Sequence, residues 1–477
     1  MTMNIFILFP MLFPLIGGFI VYAFKDKQKL IKNILLTVFV SLSLIFSIIN
    51  CFINTSSIEV LKITSNLSLI YKVDNLSKFF SVAISFVWLL VTLFTFEYIK
   101  HEKNENRYYM FSLTTLAVLI SLSYSANLVT MYLSFEMVTL LSMPLVLHSL
   151  TKESINAAKK YLFYSIAGAF LALFGIFYLA NYSNNALFGE IGGLEIFKEG
   201  NFTGDKNLFH VVIFLLIIGF STKAGMFPMH GWLPTAHPVA PSPASAVLSG
   251  VITKAGIIAI IRVVYYVIGP SFIQGTWVQY VWLSLAVFTG FMGSLLAYSS
   301  VSQLSYVLVG LATLTTTSLT GALIHVIAHM LIKVCLFLFA GENIYKFNKH
   351  NVDELKGIGK IMPISTWCFT IASLGLIGIP FTAGFLSKWY LASGAISASM
   401  NVFSWLIPVV LLISAILTAG YLLPITLNGF FVGNEKYQKD EAKSLMVVPM
   451  LILAVLVIVI GIFNQPLLDI ISNIIGK

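Results

Sequence analysis

Apolar stretches of about 18 residues or longer recur from one end of this chain to the other, each long enough to cross a hydrocarbon core of about 30 Å. In that medium a backbone must satisfy its own hydrogen bonds, so an all-α fold integral to the membrane is predicted. Composition agrees: 58% of the 477 residues are hydrophobic and 10% are charged, where a soluble domain carries about 25% charged residues. The spans predicted are 4–24, 31–53, 77–99, 108–125, 127–150, 156–181, 208–234, 242–268, 276–299, 301–318, 320–344, 363–395, 402–431 and 445–466, about fourteen helices in all. The first stretch lacks a basic n-region and a small-residue cleavage site, and reads as a helix rather than a signal peptide. Linkers are short and leave no room for a soluble domain. The largest after the first two helices, Tyr182–Asn207, is acidic and Gly-rich, a surface loop.

Charge between the spans sets orientation. Lys25, Lys27, Lys29 and Lys32 follow the first, Lys100, Lys103 and Arg107 the third, and Lys152, Lys159 and Lys160 the fifth. Lys346, Lys349, Lys356 and Lys360 follow the eleventh, and Lys436, Lys439 and Lys443 the thirteenth. All fall on one side if the helices are threaded in order, and the positive-inside rule makes that side cytoplasmic, with both termini outside. The net charge of +9 is thus a topology signal. Basic residues split among short loops exclude a nucleic-acid surface. Cys51, Cys335 and Cys368 stand singly with no CxxC, which argues against an iron–sulfur or zinc centre, and no GxGxxG or Walker loop marks a nucleotide site. No cofactor is expected.

The ionisable residues left inside the spans are Glu136, Lys223, Lys254, Lys333 and Lys388, with His325 and His329 beside Lys333. Each acid or lysine at the bilayer centre costs roughly 2.5–3.5 kcal/mol, so these side chains must face polar partners or water. Glu136 reads as the only acid well inside. It either ties two helices together or tunes a lysine's proton affinity. Lys223 follows Gly219-Phe-Ser-Thr and precedes Ala-Gly-Met-Phe-Pro, while Lys388 ends Gly378-Ile-Pro-Phe-Thr-Ala-Gly-Phe-Leu-Ser-Lys. Glycine, hydroxyls and proline within apolar spans mark broken helices, tolerated only in protein or against a wet cavity. Two such breaks, each with a lysine, suggest an inverted-repeat transporter scaffold; proline kinks with incidental lysines are the alternative.

Lys254 lies about twelve residues into its span, near the midplane at 1.5 Å per residue and too deep to snorkel. Arg262, eight residues on, is read as an interfacial anchor. His325, His329 and Lys333 recur every four residues and form one helical stripe. A metal site lacks a third ligand and is opposed by the lysine's charge. A hydrogen-bonded structural pair and a water-bridged proton relay stay open, imidazole titrating near neutrality. His230 and His237 flank Trp232-Leu-Pro and are candidates for proton uptake or bystanders; His148 reads as a bystander.

The run Gly219-Phe-Ser-Thr-Lys-Ala-Gly-Met-Phe-Pro-Met-His-Gly-Trp-Leu-Pro-Thr-Ala-His-Pro, continued by Pro241-Ser-Pro-Ala-Ser-Ala-Val-Leu-Ser-Gly-Val-Ile-Thr-Lys-Ala-Gly, resembles the signature of the proton-conducting antiporter-like subunits. These comprise the large membrane-arm subunits of complex I, membrane subunits of energy-converting hydrogenases, and Mrp-type antiporter subunits. Phe135-Glu-Met, Ser302-Gln-Leu-Ser-Tyr, His325-x-x-x-His-x-x-x-Lys and Gly378-Ile-Pro-x-x-x-Gly-Phe-x-x-Lys match in order. The resemblance implies fourteen helices, with helices four to eight (108–268) and nine to thirteen (269–432) as inverted repeats, each holding a broken helix, between an N-terminal part (1–107) and a last helix (433–477). It implies a Glu136–Lys223 ion pair gating proton uptake, a central Lys254, a relay of His325, His329 and Lys333, and a terminal Lys388. Ending at Lys477 without a long lateral helix, the chain is similar to a medial complex I subunit or the D-type Mrp subunit.

The function expected is proton translocation within a redox-driven complex, of the NADH-quinone oxidoreductase or hydrogenase type, with no redox chemistry in this chain. The partners are other membrane subunits, protons, the bilayer of the cell membrane and, in the antiporter alternative, Na⁺. The D-type subunit of a Mrp Na⁺/H⁺ antiporter is one rival, and a structural subunit whose charges only lock helices is another. A transferase would want paired acids or a nucleophile–base set, which Glu136 alone does not supply.

Overall fold

The computed structural model describes residues 2–24, 29–52, 57–64, 67–183, 186–198, 201–295, 298–349, 351–432 and 439–476; Lys25, Lys27 and Lys436 of the topology argument lie outside them. The helices that matter below are α1 (Phe9–Ala23), α2 (Lys29–Ile49), α3 (Asn75–Tyr98), α4 (Glu105–Tyr124), α5 (Leu128–Val146), α6 (Lys152–Ser183) and α7 (Lys206–Ala224). They continue with α8 (Ser242–Ile268), α9 (Trp277–Leu295), α10 (Ser299–Ala312), α11 (Thr316–Phe347), α12 (Pro363–Ile377) and α13 (Ala383–Ser397). The last are α14 (Phe403–Phe431), α15 (Ser444–Ile462) and α16 (Gln465–Ile475). Among the described residues, 10 helices are long and apolar enough to span a membrane, and α1, α10 and α12 are shorter apolar helices.

Polar side chains start several of these helices by accepting the otherwise unpartnered N–H groups of the first turn. Asp74 caps α3 through Ser77 N at 2.8 Å, Asn127 caps α5 through Thr130 N at 2.8 Å, and Thr315 caps α11 through Ser318 N at 3.2 Å. Both expected interruptions are present. α7 ends on Gly225 at φ 73° and α12 ends on Gly378 at φ 91°; this left-handed conformation closes a helix and is cheap only for a residue without Cβ. The twelfth span is therefore two helices, α12 and α13, rather than one from 363 to 395.

Burial shows which helices are central. The apolar window of α8 is 100% buried and that of α11 is 89% buried, against 28% for α2 and for α14. A helix apolar all round belongs inside a bundle, and these two inner helices carry Lys254 and the His325–His329–Lys333 stripe. α8 is not uniform: residues 248–252 and 262–268 are π-helical, a wider turn found often at functional sites.

Between α2 and α3 lies an element that the short-linker reading does not anticipate, an antiparallel hairpin of β1 (Ser57–Thr64) and β2 (Leu67–Lys72). Ser57 pairs with Lys72 and Thr64 with Leu67. The hairpin docks on the start of α5: Ala126 N donates to Ile70 O at 3.0 Å, Ile70 N to Thr130 Oγ1 at 2.9 Å, and Asn127 Nδ2 to Ser68 O at 2.9 Å. At the opposite end of the bundle several of the basic residues used for orientation are held by polar partners. Arg107 donates to His148 O, Lys32 pairs with Glu105 at 2.8 Å, and Glu97 pairs with Lys100 at 2.7 Å and Lys443 at 2.9 Å.

Candidate functional site

The polar row is assembled from the two inner helices and from the two broken ones. Lys254 is wholly buried and follows the first π stretch of α8. The Ser249 carbonyl in that stretch accepts both Thr253 Oγ1 and Lys254 Nζ, each at 2.8 Å. Lys254 Nζ also stands 2.7 Å from His329 Nδ1 on α11. One of these nitrogens donates and the other accepts, so one proton lies between the two groups.

The stripe on α11 divides. The His325 and His329 rings are 6.2 Å apart, and both are buried with Nε2 lacking any protein partner. His325 Nδ1 is 2.8 Å from Ser387 Oγ on α13, and its ring meets Tyr306 edge-on at 5.6 Å. The residue after Ser387 is Lys388. Its ammonium reaches back to the open end of α12, donating to Leu376 O at 2.9 Å and Ile377 O at 2.7 Å, and lies 5.7 Å from the Tyr306 ring. The last carbonyls of a helix carry its negative dipole end, so this cation holds the break in place.

Lys333 turns away from this line. It donates to Ser299 Oγ at 2.8 Å at the start of α10 and lies over Phe337 at 4.8 Å. Its ammonium borders a cavity of about 190 Å³ lined by His237, Tyr298, Ser299 and Ser300. That is room for several waters, with polar partners to hold them. His237 is thus brought to Lys333, its ring 4.9 Å from Phe337. His230 packs on Phe227 at 5.8 Å and does not line that cavity.

Lys223, in the last turn of α7, is buried beneath Phe135 and Tyr161 at 5.0 and 5.5 Å. Its ammonium donates to Thr139 Oγ1 on α5. Glu136 stands one turn away on the same helix, half-buried, with Oε1 lacking a hydrogen-bond partner. The direct Glu136–Lys223 ion pair implied by the resemblance is absent among the described residues. Residues three apart share a helix face, so Thr139 and Glu136 lie on one face of α5 and the ammonium bonds to the threonine.

One reading of charge is corrected. Arg262 is no interfacial anchor: it is 1% exposed, donates to both Asp74 oxygens at 2.5 and 2.9 Å, and stacks 4.8 Å from Tyr266. Asp74 lies 188 positions away, so no local pattern announces the pair. Glu342, near the charged end of α11, is a further buried acid, wholly enclosed by protein. Ser387, Ser299 and Thr139, which hold three of the charged groups, carry no sequence signal either, because a hydroxyl in an apolar span bonds most often to its own helix. Tyr306 and Gln303 lie in the matched Ser302-Gln-Leu-Ser-Tyr run; Gln303 is wholly buried, with neither amide atom partnered. His148 stays outside the row, its ring edge-on to Tyr108 at 5.4 Å. Burial, then the nearby Arg107 charge, pushes it down to about 4. Among the described residues no cluster of three or more His, Cys, Asp or Glu is arranged to hold a metal.

Residues 125–418 match the family described as NADH:quinone oxidoreductase/Mrp antiporter, transmembrane, and residues 61–109 match the N-terminus of chain 5 of NADH-ubiquinone oxidoreductase, complex I. The chain belongs to this oxidoreductase/antiporter family. It is 30% identical to NADH-quinone oxidoreductase subunit N of Desulforudis audaxviator over 84% of its own length and 83% of the relative's. It is 28% identical to the D-type subunit of the Na⁺/H⁺ antiporter of Bacillus subtilis over 91% and 88% of the two chains. In fold it matches a chain of the Mrp complex from Dietzia sp. with a TM-score of 0.85 at 20% identity, covering 100% of this chain and 97% of that one. This is a multi-pass, antiporter-like membrane protein, and the family match encloses every residue of the row from Glu136 to Lys388.

Proposed function

We propose that this chain moves protons through the membrane as one subunit of a redox-driven complex of the NADH-quinone oxidoreductase or hydrogenase type. The observation that carries the reading is the run Lys254–His329–His325–Ser387 beside Lys388, in which a 2.7 Å lysine–histidine contact and a 2.8 Å histidine–serine contact are joined by two rings 6.2 Å apart. That last gap exceeds a hydrogen bond and suits one bridging water. The buried Nε2 atoms of both histidines, without protein partners, call for water at the same place.

A proton on Lys254 passes to His329 Nδ1; His329 releases the one on Nε2 to water, and water hands it to His325 and on toward Lys388. Lys333, with His237 at the polar cavity, is the uptake branch, and His230 has no position on it. Lys223, now on Thr139, is the gate: shifting its ammonium one turn to Glu136 forms the missing pair and changes the field felt by Lys254. No redox step falls to this chain. A fold of fourteen helices, with inverted repeats of residues 108–268 and 269–432 set between three helices in 1–107 and a last one in 433–477, is supported by one glycine-ended helix in each half. The orientation proposed, in the cell membrane with both termini outside, rests on the basic residues that follow alternate spans in the sequence.

The likeness to the D-type subunit of a Na⁺/H⁺ antiporter over 91% of the chain favours a second reading, the same path serving a Na⁺/H⁺ exchanger with no redox partner. Lys223→Ala and Lys388→Ala, each in the assembled complex, test the path: assembly is retained and proton translocation lost. Normal translocation in both variants would leave the charges a structural role only.

A further inference from the structure

Where α11 and α12 meet the segment before α15, two carboxyl groups share one hydroxyl. Ser365 Oγ lies 2.9 Å from Glu342 Oε1 and 3.1 Å from Glu441 Oε2. A serine hydroxyl has a single hydrogen. It can donate to one carboxylate; the other would then press a charged oxygen against the hydroxyl lone pairs. One of the acids must therefore carry a proton of its own.

The surroundings decide which. Glu441 is half-buried, and its Oε1 accepts Ile364 N at 2.5 Å, an unpaired N–H of the first turn of α12, where a negative charge is favoured. Glu342 is wholly buried, and its Oε2 has no partner. An ionised carboxylate with a buried, unbonded oxygen is costly, whereas the carbonyl oxygen of a neutral acid is tolerated far better. Lys346, one turn further along α11, does not supply the missing charge: its ammonium pairs with Asp440 Oδ1 at 2.9 Å and donates to Glu441 O at 2.9 Å. Other titratable groups close to these acids are the thiols of Cys335 on α11 and Cys368 on α12, with Lys443 at the start of α15 and Glu97 of α3 beyond Tyr345; His325, His329 and Lys333 lie further back along α11.

We propose that Glu342 is a proton-binding site separate from the row, and that its proton latches residues 439–443 to the ends of α11 and α12. The hydrogen bonds then run one way without conflict. Glu342 Oε1–H donates to Ser365 Oγ, Ser365 Oγ–H donates to Glu441 Oε2, and Glu441 Oε1 accepts Ile364 N–H. Asp440 N on Ile361 O at 2.9 Å and Lys443 on Glu97 at 2.9 Å fasten the same segment. Losing the Glu342 proton sets two like charges on either side of one hydroxyl and frees the segment. Glu342 and Lys333 are nine residues apart on α11, which places them on opposite helix faces, so this proton is not in transit along the row.

Infrared spectra of the purified full chain test the site. The carbonyl band of a protonated carboxylic acid is expected at neutral pH, absent in Glu342→Gln and shifted in Ser365→Ala; a band unchanged in Glu342→Gln overturns the proposal. Should that variant fail to fold, Glu441→Gln gives the same reading, since the hydroxyl then donates to an amide and the band moves; an unmoved band again overturns it. Hydrogen exchange at residues 439–443 separates a latch from a static contact. Protection in the native chain falls as pH rises while Glu342→Gln, whose amide N–H replaces the acid proton, stays protected; identical pH profiles for the two would refute the latch.

Discussion

Replacing Asp74 with Asn removes the charge that holds Arg262 while keeping the shape of the side chain. The guanidinium is 1% exposed and the carboxylate 18% exposed, with two N–H···O contacts at 2.5 and 2.9 Å and further bonds to Ser77 Oγ at 3.0 Å and Ser123 O at 3.3 Å. Removing one partner of a buried pair costs about 3–5 kcal/mol because the other charge is left uncompensated. Asp74 keeps some water and Arg262 keeps Ser77 and Ser123, so the lower end, about 3 kcal/mol, is expected. Replacing both partners with apolar residues, Asp74→Leu with Arg262→Met, strands no charge and should cost less than Asp74→Asn alone. Reversible unfolding of the purified chain, run as a double-mutant cycle, measures both. A cost below about 1 kcal/mol for Asp74→Asn, or strictly additive single variants, would refute the claim that this pair joins α3 to α8. Burial alone would raise the Asp74 carboxyl, but the charge and hydrogen bonds of Arg262, with those of Ser77, hold it below its ordinary value. The pair thus contributes above the unfolded aspartate range, and its contribution is lost as pH falls through the lowered folded value.

Other outcomes follow from single features. His148, pushed down to about 4, stays neutral in the fold while an unfolded histidine takes a proton near 6.5; stability should fall as pH drops from about 6.5 toward 4, and His148→Phe should flatten that part of the thermal-midpoint profile. Gly225→Ala and Gly378→Ala place a Cβ on left-handed backbone and should each cost about 1–2 kcal/mol in unfolding titrations; no loss in either would mean that the helix ends do not depend on glycine. Ser387→Ala removes the hydroxyl on His325 Nδ1 and should slow proton movement in the assembled complex without affecting assembly; an unchanged rate would take Ser387 out of the path.

Much of this fold is legible in the sequence because lipid leaves a chain few choices. Long apolar runs have one solution, and the two breaks at Gly225 and Gly378 are visible as glycine, proline and hydroxyls where none would otherwise be tolerated. The stripe His325–His329–Lys333 is readable from spacing, yet spacing does not tell that Lys333 faces a separate cavity with His237 while the histidines join Lys254 and Ser387. Contacts between distant helices are settled by packing. Nothing local to Arg262 reports Asp74, and nothing local to Glu342, close to the charged end of its helix, reports that it is wholly buried. The strand pair β1 and β2 is invisible to a linker judged by length alone. Lys223 on Thr139 rather than on Glu136 is a matter of one helical turn, finer than any motif resolves.

In the proposed path a proton crosses from Lys254 to His329, and removing the lysine nitrogen interrupts it. Lys254→Met keeps the length of an apolar stem but removes the nitrogen that stands 2.7 Å from His329 Nδ1. In membrane vesicles holding the assembled complex, with the driving reaction running, this variant should assemble in native amount and show proton translocation reduced at least about a hundredfold, the lower end of what losing a catalysed proton transfer costs. Native translocation by a fully assembled Lys254→Met complex would contradict the account.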